Sequence, residues 1–263
     1  MRKLLLVLVS LLPIMVSAEN FELRARDIVT VTGGSNLTSG AQDVSYNSVI
    51  TSNPAIFSSG PTTLYIINTG DSSNVLATVR GLDSSWAEQY QSITLTRHTV
   101  LPYTYTALDG RWRRINDIST NKKSDGDIII SLSPSGNPFD STKAVSFIPK
   151  GLTQSYNFVF TVPAKYEATL ERWECSTVFS KGYSTTTGYP ALAAGVLYRP
   201  NGSSSWNVLK EIVLESGSTY EQAYPDVTII PARADCKVAA SVTPSNMDFR
   251  TRCIFTTRKS VSE

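Results

Sequence analysis

The side chains able to do chemistry in this 263-residue sequence are few, and their spacing restricts them further. There is one histidine, His98, so any Ser-His-Asp or Cys-His nucleophile must pass through it. No Gly-x-Ser-x-Gly elbow is present to aim a serine. His98 stands at the end of an alternating segment, where a surface or partly buried polar role is the usual one. One histidine and three scattered cysteines do not match the ligand spacing of a zinc site. No metal ligands and no cofactor-binding residues are therefore assigned. Carboxylates are harder to dismiss, because a glycoside hydrolase needs only two. Asp83, Glu88, Asp109, Asp117, Glu167, Glu171 and Glu174 are the candidates. Most fall at turns or alternate outward along strands and read as solvated surface, so no catalytic residues are assigned. Asp125-Gly-Asp127 lacks the repeated Asp/Asn ladder of a calcium loop and reads as a turn.

The cysteines are Cys175, Cys236 and Cys253. If Thr243-Pro-Ser-Asn246 is the midpoint of a hairpin, Cys236 and Cys253 fall directly opposite each other, which predicts a disulfide between them. Cys175 is left over and reads as a buried small hydrophobe. Aromatics offer a binding chemistry instead. Trp86, Tyr90, Tyr103, Tyr105 and Trp112 are interleaved with Arg97, Arg111, Arg113 and Arg114, and flat rings stack on sugars while guanidinium groups supply planar hydrogen bonds. Trp86, Tyr90 and Trp112 are the possible ligand-binding aromatics, with a glycan as the ligand. Core packing is the favoured role for most of the cluster. Asn36-Leu-Thr38 and Asn201-Gly-Ser203 match the glycosylation acceptor pattern.

The elements that must carry these residues are strands. Helical periodicity is almost absent, charged residues make up only 17%, and Ser and Thr fill the polar positions. Alternating segments recur between turn signals: Thr62 to Asn68, Val75 to Gly81, Gln91 to Thr99, and the pair flanking Asp109-Gly110, the dipeptide of tight hairpin turns. The second half adds about seven more strands, the texture of a sandwich or jelly roll. Asn201-Gly202 there joins two of them. Pro134 to Asp140 reads as the junction between domains.

The first eighteen residues read differently. Arg2 and Lys3 precede an apolar run from Leu4 to Met15, and Val16-Ser17-Ala18 offers the small residues that a signal peptidase reads. The run is short for a bilayer span and holds Pro13, so it reads as a cleaved signal peptide. No later segment is apolar enough to cross a membrane as a helix. The expected product is exported. With Arg2 and Lys3 removed, 22 basic residues face 22 acidic ones, and no basic footprint for nucleic acid stands out. The fold expectation is all-β: residues 1–18 as signal peptide, 19–140 as an N-terminal β-sandwich domain, and 141–263 as a C-terminal, jelly-roll-like one.

Several stretches, taken in order, carry a resemblance. They are Val79-Arg-Gly-Leu-Asp-Ser-Ser-Trp86 running on to Leu95, Trp112-Arg-Arg-Ile-Asn116, Gly126-Asp-Ile128, Phe160-Thr-Val-Pro-Ala164, Leu197-Tyr-Arg-Pro-Asn-Gly202 and Pro231-Ala-Arg-Ala-Asp235. Together the series resembles β-rich virion structural proteins of marine bacteriophages and related viruses. The resemblance implies a non-enzymatic particle or surface component that forms a homo-oligomer or joins other virion subunits, and it transfers no catalytic residues. A secreted carbohydrate-binding or adhesin-type protein is the alternative, and a secreted glycan-cleaving enzyme ranks third.

Overall fold

Alternation of apolar and polar residues becomes, in the computed structural model, fifteen strands among the described residues and no helix. The residues described are 28–37, 60–70, 74–96, 104–134, 143–155, 159–179, 191–215, 217–224, 228–243 and 247–260. The expected signal peptide, His98 and Tyr103 lie outside them. No helix among the described residues is long and apolar enough to cross a membrane; this says nothing of a β-barrel.

The strands are β1 (Ile28–Leu37), β2 (Tyr65–Asn68), β3 (Val75–Asp83), β4 (Glu88–Leu95), β5 (Thr104–Ala107), β6 (Trp112–Thr120), β7 (Ile128–Ser131), β8 (Ala144–Ile148), β9 (Val159–Thr161), β10 (Tyr166–Phe179), β11 (Ala191–Arg199), β12 (Asn207–Glu215), β13 (Thr219–Ala223), β14 (Asp235–Thr243) and β15 (Met247–Lys259). Two antiparallel sheets, ordered β1-β15-β10-β13 and β9-β14-β11-β12, form one sandwich. Taken in chain order, these eight strands alternate between the sheets except at the β11–β12 hairpin, as the two Greek keys of a jelly roll do. Two smaller sheets, β5-β2-β7-β8 and β4-β3-β6, form a second unit, and all of it is inserted between the first and second strands of the jelly roll.

Each unit hides its own apolar faces. In the jelly roll the inward positions include Phe160, Trp173, Leu192, Val196, Val238 and Phe255, with Phe160 and Phe255 stacked at 5.2 Å. Trp173 is fully buried and still satisfies its indole N–H, which donates to Thr251 Oγ1 at 2.8 Å. The insert packs Ile66, Val79, Trp112, Ile118 and Ile130 between its sheets. Burying one such large side chain contributes about 1.5–3 kcal/mol.

The all-β expectation stands, but three details are corrected. The domain boundary is not at 140/141: β8 pairs with β7 and so belongs to the insert, while β1 pairs with β15 across the whole insertion. The segment around Asp109-Gly110 is a turn, yet it joins strands of different sheets, since β5 pairs with β2 and β6 with β3. Nor is Cys236 opposite Cys253 on a hairpin. Strand β14 lies between β9 and β11, and β15 lies between β1 and β10, so the two strands belong to different sheets. The ladder partners of Cys236 are Phe160 and Tyr198; those of Cys253 are Val31 and Trp173. All three cysteines are free and buried. Burial pushes Cys175 up to about 12 and raises Cys236 and Cys253 as well, which leaves the thiols protonated and unreactive.

Candidate functional site: the ionic joint between the two units

The most concentrated set of buried polar groups lies where the insert meets the jelly roll. Its centre is Asp235, the first residue of β14. Asp235 Oδ1 accepts from Arg114 Nε at 2.8 Å and from Thr161 Oγ1 at 2.8 Å. Oδ2 accepts from an Arg114 terminal nitrogen at 3.1 Å and from one of Arg199 at 2.8 Å. Arg114 comes from β6 of the insert, whereas Thr161, Arg199 and Asp235 end or begin strands of the jelly roll. The Arg114 fork is therefore bidentate, buried and spans the two units, the geometry in which an arginine–carboxylate pair is strongest. With every carboxylate oxygen lone pair engaged, the cost of burying the charge is offset.

A second contact mimics a β-ladder. Asn116 Nδ2 donates to the Thr161 carbonyl at 3.0 Å, and its Oδ1 accepts from the Thr161 amide at 3.0 Å. One side-chain amide thereby pairs the outer edge of β9 with the edge strand of the insert.

Two tryptophans flank the ion pairs. The Trp86 ring faces the guanidinium groups of Arg113 at 4.6 Å and Arg114 at 5.3 Å; the Trp206 ring faces Arg199 at 4.7 Å and the Lys237 ammonium at 4.5 Å. Their negative ring faces favour the cations that surround a single carboxylate. Trp86 is placed by a turn that Asp83 organises. Asp83 Oδ1 accepts from the Ser85 amide at 2.8 Å, the Ser85 hydroxyl at 2.7 Å and the Ala87 amide at 2.9 Å. Slight desolvation works against ionisation of this carboxyl, but those bonds outweigh it and hold it below its ordinary value. Trp86 itself has φ +67°, and its carbonyl accepts from the Ala164 amide at 2.8 Å. Lys165 (φ +67°) and Arg233 (φ +63°), in the loops that frame Thr161 and Asp235, are also left-handed non-glycines. Such conformations cost of order 1–3 kcal/mol each, and three of them at one junction indicate a geometry imposed by the tertiary contacts. Gly81 sets the approach from the other side: a Cβ there would overlap the Arg114 carbonyl oxygen.

The three aromatics singled out from the sequence do not form one platform. Trp112 is 1% exposed and lies in the insert core, its indole N–H donating to the Asp109 carbonyl at 3.0 Å. Trp86 is 8% exposed and belongs to the joint. Only Tyr90, at 60%, offers its ring to solvent; it stands on the outer face of β4 with the Arg80 guanidinium 5.6 Å from the ring centroid. The candidate carboxylates are all engaged. Asp83 holds the turn, Glu88 pairs with Arg80, Asp109 accepts from Gln91 and Asp117 from Ser155. Glu167 pairs with Arg258, Glu171 accepts from Thr169, and Glu174 pairs with Arg172 and Arg252. Among the described residues no group of three or more His, Cys, Asp or Glu is arranged to hold a metal ion.

Sequence reasoning named Asn116, Thr161, Ala164, Arg199 and Asp235 only as members of the stretches that carry the resemblance, and Arg114 also among the arginines of the aromatic cluster. In space those stretches meet at this joint. Trp206 carried no signal beyond its position just after the Asn201-Gly202 turn.

No protein-family model matches the chain, and no curated protein does. Among solved structures it is similar to a chain of the Cowpea mosaic virus top component, the naturally occurring empty particles, at 8% identity and a TM-score of 0.24, over 78% of this chain and 85% of that one. The Broad bean stain virus structure gives 8% identity and a TM-score of 0.23 over 82% and 92%. The Cowpea mosaic virus empty virus-like particle gives 6% and 0.23 over 78% and 82%. Likenesses this weak add nothing to the jelly-roll topology, which rests on the strand order of the chain itself.

Proposed function

We propose that this chain is a non-enzymatic structural protein of the virion type: an exported jelly-roll subunit that assembles with copies of itself and displays an inserted β unit. The observation that carries this reading is the buried Arg114–Asp235 joint, which couples the insert to a jelly roll, a fold used by viral capsid and lectin domains. A saturated ion pair of this kind is poorly suited to proton transfer and well suited to fixing one body against another. The engaged carboxylates point the same way. Size-exclusion chromatography with light scattering tests it on the purified chain. A discrete oligomer, seen as uniform particles by negative-stain electron microscopy, is the expected result; a monomer at every concentration contradicts it.

Glycan binding is the second reading, favoured by the one exposed aromatic of the original three. Tyr90 lies beside Arg80 and Glu88, with the Thr78 and Ser92 hydroxyls 3.1 Å apart on the same face. Glycan-array binding that Tyr90→Ala abolishes, with the melting temperature unchanged, is the result this reading requires.

A further inference from the structure

The Asn201-Gly-Ser203 motif takes no part in the joint. It lies in the connection between β11 and β12, where residues 200–203 form a turn closed by the Ser203 amide, which donates to the Pro200 carbonyl at 3.0 Å. Gly202 is the residue this turn demands, with φ +81°. Asparagine serves a turn in one of two ways: it tolerates the left-handed region, or its side chain bonds the backbone two residues on. Asn201 does neither. Its φ is not positive, and its carboxamide makes no hydrogen bond among the described residues. The loop keeps its shape by other bonds, with the Ser205 amide donating to Ser203 Oγ at 3.1 Å. Asn201 and Gly202 are both exposed. An exposed carboxamide without structural work, two residues before a serine at a hairpin tip, meets the requirements of a glycan acceptor. The other matching motif starts inside β1, where Asn36 pairs with Asp248 of β15. A ladder position has a strand alongside it, whereas a hairpin tip stands clear in solvent.

We propose that Asn201 is an N-glycosylation site and that the exported chain carries an oligosaccharide there. The inference rests on export, which is part of the reading proposed above. In the transfer, the Asn201 carboxamide nitrogen attacks C1 of the first sugar of an oligosaccharide linked to a lipid diphosphate. The N–C1 bond forms and the bond from C1 to the diphosphate oxygen breaks. The lipid diphosphate leaves with the electron pair, and the amide gives up one proton. The tip is two residues from Arg199, whose guanidinium donates to Asp235 at 2.8 Å, so the sugar stands beside the joint. A bulky, hydrated group there keeps this end of the sheet β9-β14-β11-β12 in solvent and leaves subunit contacts to other surfaces.

The test is expression of the full chain, leader included, in a eukaryotic secretory cell line. Asn36→Gln serves as the background, so that only one motif can react. Mass spectrometry of the product reads the leader and the glycan separately. The expected product begins after Ala18 and carries one oligosaccharide. Peptide-N-glycosidase is expected to remove that mass and convert Asn201 to aspartate. Asn201→Gln and Ser203→Ala, each added to the background, are expected to abolish the glycan completely. The mass is read on the chain itself, so a variant that folds poorly and stays in the cell still answers. Secreted, leader-free protein without the glycan, or a glycan that survives either substitution, overturns the site while leaving export standing. Background protein that stays in the cell with its leader attached and without the glycan overturns both.

Discussion

The insert and the jelly roll hide the same kind of apolar strand face over very different sequence distances. Within the insert the most distant ladder partners are residues such as Tyr65 and Ser131, whereas the jelly roll closes only when Ile28 pairs with Thr256. Loop closure on the second scale is slow and entropically costly, and the first is comparatively local. The insert therefore has the means to form early, before the larger sandwich closes. The comparison also explains where polar chemistry was placed. A unit that folds on its own has no intrinsic orientation relative to its host, and Arg114, Asn116 and Trp86 supply one.

The strongest way to break that comparison is to remove the shared carboxylate. Asp235→Ala leaves the Arg114 guanidinium buried without its counter-charge and is expected to cost about 3–5 kcal/mol in denaturant unfolding. Replacing the pair together, Arg114→Met with Asp235→Leu, is expected to cost far less. Equal losses for the single and double changes would mean that the pair itself is unimportant. A smaller effect comes from the insert side. Gly81→Ala forces β3 away from the Arg114 carbonyl and is expected to cost about 1–3 kcal/mol by overpacking, readable as a lower melting temperature.

The smallest effect depends on pH. Burial pushes the Asp117 carboxyl above its ordinary value of 3.8, against the opposing Ser155 hydroxyl, Ile118 amide and Arg80 charge. A carboxyl raised in the folded chain holds its proton more tightly folded than unfolded, so its ionisation penalises the fold as pH rises through that raised value. Asp117→Asn, which carries no charge, is expected to raise the melting temperature at neutral pH, and the gain is expected to vanish below about pH 3.8. A gain that is the same at every pH would assign the effect to packing.

Much of the fold was legible locally, and little of its long-range arrangement was. Alternation marked Thr62 to Asn68 and Val75 to Gly81 as strands because a half-buried pleated surface demands period two. Asn201-Gly202 marked the β11–β12 connection because the turn needs a residue with positive φ, and Gly202 has φ +81°. Sheet membership was not legible, since alternation says which side of a strand is buried and nothing about its neighbour. The Cys236–Cys253 expectation failed on that point: the sequence around Pro244 reads as a hairpin tip, but β14 and β15 on either side of it belong to different sheets. The joint was half legible. Arg114 and Asn116 stood in one stretch and Asp235 in another, but a salt bridge across 121 positions has no local signature. Trp86 and Trp112 read alike, as possible ligand-binding aromatics in a cluster for which core packing is favoured, and tertiary packing alone gave one to the joint and the other to the core.

Differential scanning calorimetry of the wild type and of Asp235→Ala tests the coupling of the two units most directly. A single cooperative transition for the wild type that separates into two in the variant is the predicted result. Two transitions already present in the wild type, or one undivided transition in both, would contradict it.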